Sequence, residues 1–136
     1  MIIYALDTNI VSHIVKGDEG LSTRVAQEWA SGNAIAVPPV VLYEIRRWLL
    51  FNKSGNRSQT FENFLADSLT EDMELSAFEI AATEHARLKR AGYTLDDADL
   101  LIAGFCLDKG YVLVTNNTKH YSLVDGLDIE DWTATV

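Results

Sequence analysis

Four stretches of this chain carry residues able to do chemistry together. Asp7 follows the short apolar run Ile2–Leu6 and precedes Thr8, Asn9 and an apolar helical pattern. Glu44 lies at the edge of the apolar stripe formed by Val41, Leu42, Ile45, Trp48 and Leu49. Asp96, Asp97 and Asp99 open a stretch, Leu100–Leu107, that is apolar almost all round the helical wheel. Thr115, Asn116 and Asn117 end the apolar run 111–114. Carboxylates with hydroxyl and amide partners, and no His or Cys at these positions, form a hard oxygen donor set. Such a set suits Mg²⁺ or Mn²⁺ better than zinc. Ions held this way polarise phosphodiesters and activate water for in-line attack.

Each acid also has a structural reading. Taken alone, Asp7 reads first as a helix N-cap. Asp96 and Asp97 read as caps, since acids suit the first turn of a helix. Glu44 has Arg47 and Trp48 one turn on, to pair with or pack against. Asp99 is harder to explain structurally, because it sits inside a helix beside apolar positions, and a buried carboxylate needs a partner.

The elements that must position these residues follow from periodicity. Residues 2–6, 34–37 and 111–114 read as short strands buried on both faces. Residues 73–75 form a weaker third strand signal, and 127–129 a last edge strand. Helices are expected at 9–16, 22–30, 39–51, 58–69, 77–91 and from Asp96 to about Leu107. Pro39 suits a first helical turn. Strands alternating with helices predict an α/β fold of three layers around a central, mainly parallel sheet of four to five strands. In such a sheet Asp7 and the 115–117 run leave the same carboxyl edge, where ligands bind. The start of the Asp96 helix and the rim of the Glu44 helix can reach that edge.

The 136 residues are expected to form one domain, 1–136. No apolar run approaches the roughly 18 residues of a membrane span. Met1 leads straight into the first strand without a secretory leader, so a cytoplasmic location without membrane attachment is expected. The single Cys106 excludes an internal disulfide and reads as a small core residue. A net charge of −9 argues against a general nucleic-acid binder. It leaves room for a local basic rim, and Arg46, Arg47, Lys53, Arg57, Lys119 and His120 are its candidates. A solvated helix face explains each of them as well. Trp29, Trp48 and Trp132 read as core or interface anchors.

The segments Leu6-Asp7-Thr8-Asn9, Tyr43-Glu44-Ile45, Asp99–Ala103, Val114–Tyr121 and Glu130-Asp131-Trp132 together resemble the PIN-domain ribonucleases, specifically the VapC toxins of toxin–antitoxin pairs. The resemblance spans essentially the whole chain in order. It implies a PIN-like fold and a Mg²⁺- or Mn²⁺-dependent endoribonuclease that cuts structured RNA such as tRNA. It also implies a homodimer and a cognate VapB-type antitoxin. By position, Asp7 and Asp99 resemble the family's metal ligands, Glu44 its third acid, and Thr115 its supporting hydroxyl. Asn9, Asn117, Asp96 and Asp97 are further supporting candidates, and Arg46, Arg47 and Lys119 are candidates for positioning RNA. Asn117 stands where many PIN domains carry a fourth acid, which weakens a second ion site. Trp48 stands where a glycine is common.

Two other readings compete. A haloacid-dehalogenase-like phosphatase wants a second Asp two residues after the first, where this chain has Asn9. A PIN-like module that binds RNA or protein without turnover draws some support from Asn117.

Overall fold

The structure, a computed structural model, describes residues 1–133. Four strands form one parallel sheet in the order β2–β1–β3–β4. They are β1 (Ile3–Leu6), β2 (Ala34–Ala36), β3 (Val112–Val114) and β4 (Ile129–Glu130). Strand β1 is central: Ala5 pairs with Ala36 on one side and Leu113 on the other. A strand with neighbours on both edges and helices over its faces must be apolar throughout, and Tyr4, Ala5 and Leu6 are all buried.

Among the described residues seven helices accompany the sheet: α1 (Thr8–Val15), α2 (Glu19–Ala30), α3 (Pro39–Asn52), α4 (Gly55–Ala66), α5 (Leu75–Arg90), α6 (Asp97–Lys109) and the short α7 (Thr118–Tyr121). Pro39 occupies the first turn of α3, as its fixed φ and missing N–H allow. Helix α2 begins three residues earlier than its apolar pattern, because the Asp18 carboxylate caps it by accepting from Leu21 N at 3.0 Å.

The expected strand at 73–75 does not exist. Residues 71–74 are irregular, and Leu75, 84 % exposed, opens α5. Three residues of alternating polarity carry too little burial to bring a strand to the sheet. Leu69 instead makes an isolated parallel bridge to Ala36, with Leu69 N donating to Ile35 O at 2.8 Å.

Helix α6 is buried on almost every side, through Leu100, Ile102, Ala103, Gly104, Phe105 and Cys106. It lies close against α5, and Gly104 makes that possible. A Cβ at Gly104 would stand 2.5 Å from the carbonyl oxygen of Ala77. The helix ends at Gly110, whose φ of 73° lies in the left-handed region. Cys106 is fully buried, and burial pushes its thiol well above the usual range. It is a core residue, as its surroundings in sequence imply. Among the described residues no helix is long and apolar enough to cross a membrane.

Candidate active site

The carboxyl ends of β1 and β3 are stitched together by Asp7 N donating to Val114 O at 2.9 Å. Thr115 N donates to Glu130 O at 3.0 Å, so β4 holds the end of β3 from the other side. These two bonds bring Asp7 and Thr115, 108 residues apart in the chain, side by side.

Asp7 is 5 % exposed, with extended backbone at the N-cap of α1. Its Oδ1 accepts from Thr8 N at 2.8 Å, and its Oδ2 accepts from Thr115 Oγ1 at 2.8 Å. Asp7 therefore occupies the N-cap position of α1 and is tied to the end of β3 as well. Thr115 is fully buried, and its Oγ1 also accepts from Asn117 N at 2.9 Å.

Asp99 projects from the first turn of α6. A tyrosine that periodicity did not single out joins it to Asp7. The hydroxyl of Tyr121, a fully buried residue at the end of α7, lies 3.2 Å from Asp99 Oδ1 and 3.4 Å from Asp7 Oδ1. Glu44 stands one step further out: its Oε1 accepts from Thr8 Oγ1 at 2.6 Å, and Arg47 lies 3.7 Å from its Oε2. Its sequence position at the rim of the α3 stripe matches this half-buried place.

The electrostatics follow from burial and repulsion. Burial raises the Asp7 carboxyl above the ordinary aspartate range, against the lowering effect of its bonds from Thr115, Thr8 and Tyr121; the Glu44 charge raises it further. Burial likewise raises Asp99, reinforced by the negative charges of Asp7, Asp96 and Glu44 and opposed by the bond from Tyr121. Among the described residues neither Asp7 nor Asp99 forms an ion pair with Lys, Arg or His. Tyr121 is held firmly protonated by burial and by the two carboxylates it faces.

The remaining candidates are placed differently. Asn9 is exposed on α1. Asp96 occupies the N-cap position of α6 without a capping hydrogen bond from its side chain, and acts on the site through its charge. Asp97 turns to a groove between α5 and α6, beside Phe78 and His85. The Asn117 side chain is 3.2 Å from His120 Nδ1, and only its backbone meets the acid cluster, through Thr115. Arg46 pairs with Glu62 on α4 and lies over the Phe61 ring, which accounts for it structurally. Arg47 lies between Glu44 and the Tyr43 ring. Lys119 is exposed, in a second groove with Tyr93, Thr94, Leu95, His120 and Leu123. Neither groove is lined by Asp7, Glu44 or Asp99.

The donor set fits a small divalent ion in one specific sense. Among the described residues no three His, Cys, Asp or Glu side chains converge closely enough to enclose a metal. The site is thus not a closed cage. Asp7 and Asp99 form a pair of hard-oxygen donors short of positive charge. Mg²⁺ characteristically takes one or two carboxylates and keeps several waters. A buried Asp7 and a half-buried Asp99 that repel each other suit that mode, with Glu44 outside it.

The fold is thus a parallel four-stranded sheet with Asp7 and Thr115 side by side at its carboxyl edge. The PIN domain family model matches residues 4–126, and the chain belongs to that family. Within it the chain groups with the VapC ribonucleases. It is 30 % identical to the tRNA(fMet)-specific endonuclease VapC of Shigella flexneri over 139 residues, covering 97 % of this chain and 99 % of that relative. It is 27 % identical to ribonuclease VapC2 of Rickettsia felis over 135 residues, covering 96 % and 98 %. The crystal structure of VapBC2 from Rickettsia felis, bound to a promoter DNA fragment, superposes with a TM-score of 0.87 at 26 % identity over 96 % of this chain and 99 % of that one.

Proposed function

We propose that this chain is a VapC-type toxin: a Mg²⁺- or Mn²⁺-dependent endoribonuclease that cleaves structured RNA and is neutralised by a VapB-type antitoxin. The observation that supports the site assignment is the meeting of Asp7, at the end of β1, and Asp99, in the first turn of α6, around one hydroxyl, with no ion pair to either among the described residues. Family membership over nearly the whole chain supports nuclease chemistry. The relatives' names support tRNA as the substrate to try first, and the VapBC complexes support an antitoxin partner. A homodimer, a cytoplasmic location and a single domain over 1–136 are part of the same proposal.

In this reading Asp7 and Asp99 hold the ion. Once bound, the ion supplies positive charge against the phosphodiester and makes water more acidic. Thr115 and the Thr8 amide keep the Asp7 carboxylate in one orientation. Glu44, fixed by Thr8 Oγ1 and Arg47, orients water and receives its proton. Lys119 offers its charge to the RNA backbone.

The test is cleavage of a bulk tRNA pool by the purified chain with Mg²⁺, with Mn²⁺ and with chelator. Ion-dependent cutting that is lost in Asp7→Asn and Asp99→Asn supports the proposal. RNA binding without any ion-dependent turnover moves the chain to the non-catalytic reading, which the neutral Asn117 favours.

A further inference from the structure

Among the described residues the Tyr121 hydroxyl is the one polar group that hydrogen-bonds to both acids. A phenol has a single proton, so it donates to one carboxylate at a time while facing the other. Its position also decides which carboxylate oxygens are left over. Asp7 Oδ1 already accepts from Thr8 N, and the hydroxyl approaches that same oxygen. On Asp99 it again approaches Oδ1, and no hydrogen bond reaches Oδ2 among the described residues. Among the described residues Asp7 Oδ2 accepts from Thr115 alone, which leaves it further acceptor capacity. One hydroxyl therefore gathers both Oδ1 atoms and leaves acceptor capacity on both Oδ2 atoms.

The tyrosine is well built for this duty. Tyr121 is fully buried, so its ring is fixed by packing and cannot swing away. It ends α7, which begins four residues after β3, so strand and hydroxyl are placed by one short connection. A hydroxyl is also neutral. A lysine or arginine there would offset half the charge of the pair and weaken its attraction for an ion.

We infer that Tyr121 is a positioning residue for the divalent ion: its hydroxyl orients Asp7 and Asp99 so that their free oxygens are presented together. This rests on the ion-dependent nuclease reading proposed above. Partners that orient metal ligands without touching the metal are typically worth about 10–100-fold in affinity. Tyr121→Phe keeps the ring and removes only the hydroxyl.

The experiment is calorimetric titration of Mn²⁺ into the full-length wild type and Tyr121→Phe, with RNA cleavage rate measured against Mn²⁺ concentration. Affinity is expected to fall about tenfold. The half-saturating Mn²⁺ concentration should rise by the same factor, while the rate at saturating Mn²⁺ stays near wild type. A purely structural tyrosine would lower thermal stability without moving the half-saturation point. Unchanged or tighter Mn²⁺ binding in Tyr121→Phe overturns the inference and leaves the nuclease reading intact. A wild type that takes up no Mn²⁺ removes the nuclease reading itself. Mn²⁺ should also perturb the near-ultraviolet tyrosine absorption of the wild type. A spectrum that stays unchanged while the ion binds counts against Tyr121 without requiring any variant to fold.

Discussion

Asp7 and Glu84 are both buried carboxylates, 5 % and 9 % exposed, and the protein treats them in opposite ways. Glu84 on α5 receives the Arg87 guanidinium, with Arg87 Nη2 donating at 2.7 Å and Nε at 3.1 Å, and also Asp125 N at 3.3 Å. Arg87 Nη2 donates onward to Leu123 O at 2.7 Å, tying α5 to the loop after α7. The Arg87 guanidinium, with the Asp125 amide, outweighs burial and holds the Glu84 carboxyl below the usual range. Among the described residues Asp7 receives an amide and two hydroxyls and no cation, and burial holds its carboxyl above that range. A carboxylate buried to fasten elements together is given a cation from the same chain. One left with neutral donors, beside a second acid, remains available to a cation from outside. Buried, strained charge of the second kind marks functional sites.

The largest effect expected from this contrast is on catalysis. Asp7→Asn should lower RNA cleavage by about a hundredfold or more, the scale of losing one charged contact in an active site. The fold should survive, since an asparagine oxygen still accepts from Thr8 N and its amide can donate to Thr115 Oγ1. Single-turnover cleavage and circular dichroism check both halves. A smaller loss, about tenfold, is expected for Thr115→Val, which keeps the shape and removes a hydrogen bond to a charged group.

On the other side of the comparison, Glu84→Gln should leave cleavage unchanged and lower stability by about 1 kcal/mol, a few degrees in Tm. The pH dependences should also have opposite signs. The depressed Glu84 carboxyl stabilises the fold above the unfolded-state carboxylate pKa, and that contribution disappears as pH falls through its lower folded value. Asp7 and Asp99 are raised, so without divalent ion they favour the fold when protonated and lose that contribution as pH rises through their folded values. The Tm deficit of Glu84→Gln should therefore shrink toward acid pH. An Asp7→Asn advantage should grow from acid toward neutral pH. The smallest effect belongs to Asp97→Asn: its side chain lies in the α5–α6 groove, so cleavage should stay within a factor of about two, far below the loss from removing a group in the acid cluster.

Much of this arrangement was legible in the chain because strand ends in a parallel sheet share an edge. Asp7 after Ile3–Leu6 and Thr115 after Val112–Val114 had to meet once the strands were adjacent. Asp99 stood out as an acid among apolar helical positions, and Glu44 as a charge on a stripe. Tyr121 was visible only as a member of the Val114–Tyr121 motif, since no periodicity tells which way a residue in a four-residue helix points. The tie from Arg46 to Glu62 depends on how α3 packs on α4, which local pattern does not encode. Thr8 stood in the chain only as the residue after Asp7, and its hydroxyl bond to Glu44 needs contact across 36 residues.

The central claim is that the pair of Asp7 and Asp99 is unbalanced in the isolated chain and is balanced by a divalent ion. Thermal unfolding of wild type and Asp99→Asn, each with chelator and with Mn²⁺, tests it most directly. With chelator, Asp99→Asn should be the more stable protein. Mn²⁺ at tenfold excess over its Kd should stabilise the wild type by about 1.4 kcal/mol, a few degrees in Tm, and leave Asp99→Asn almost unmoved. An equal response of the two proteins to Mn²⁺, or a wild type already more stable than Asp99→Asn in chelator, would contradict it.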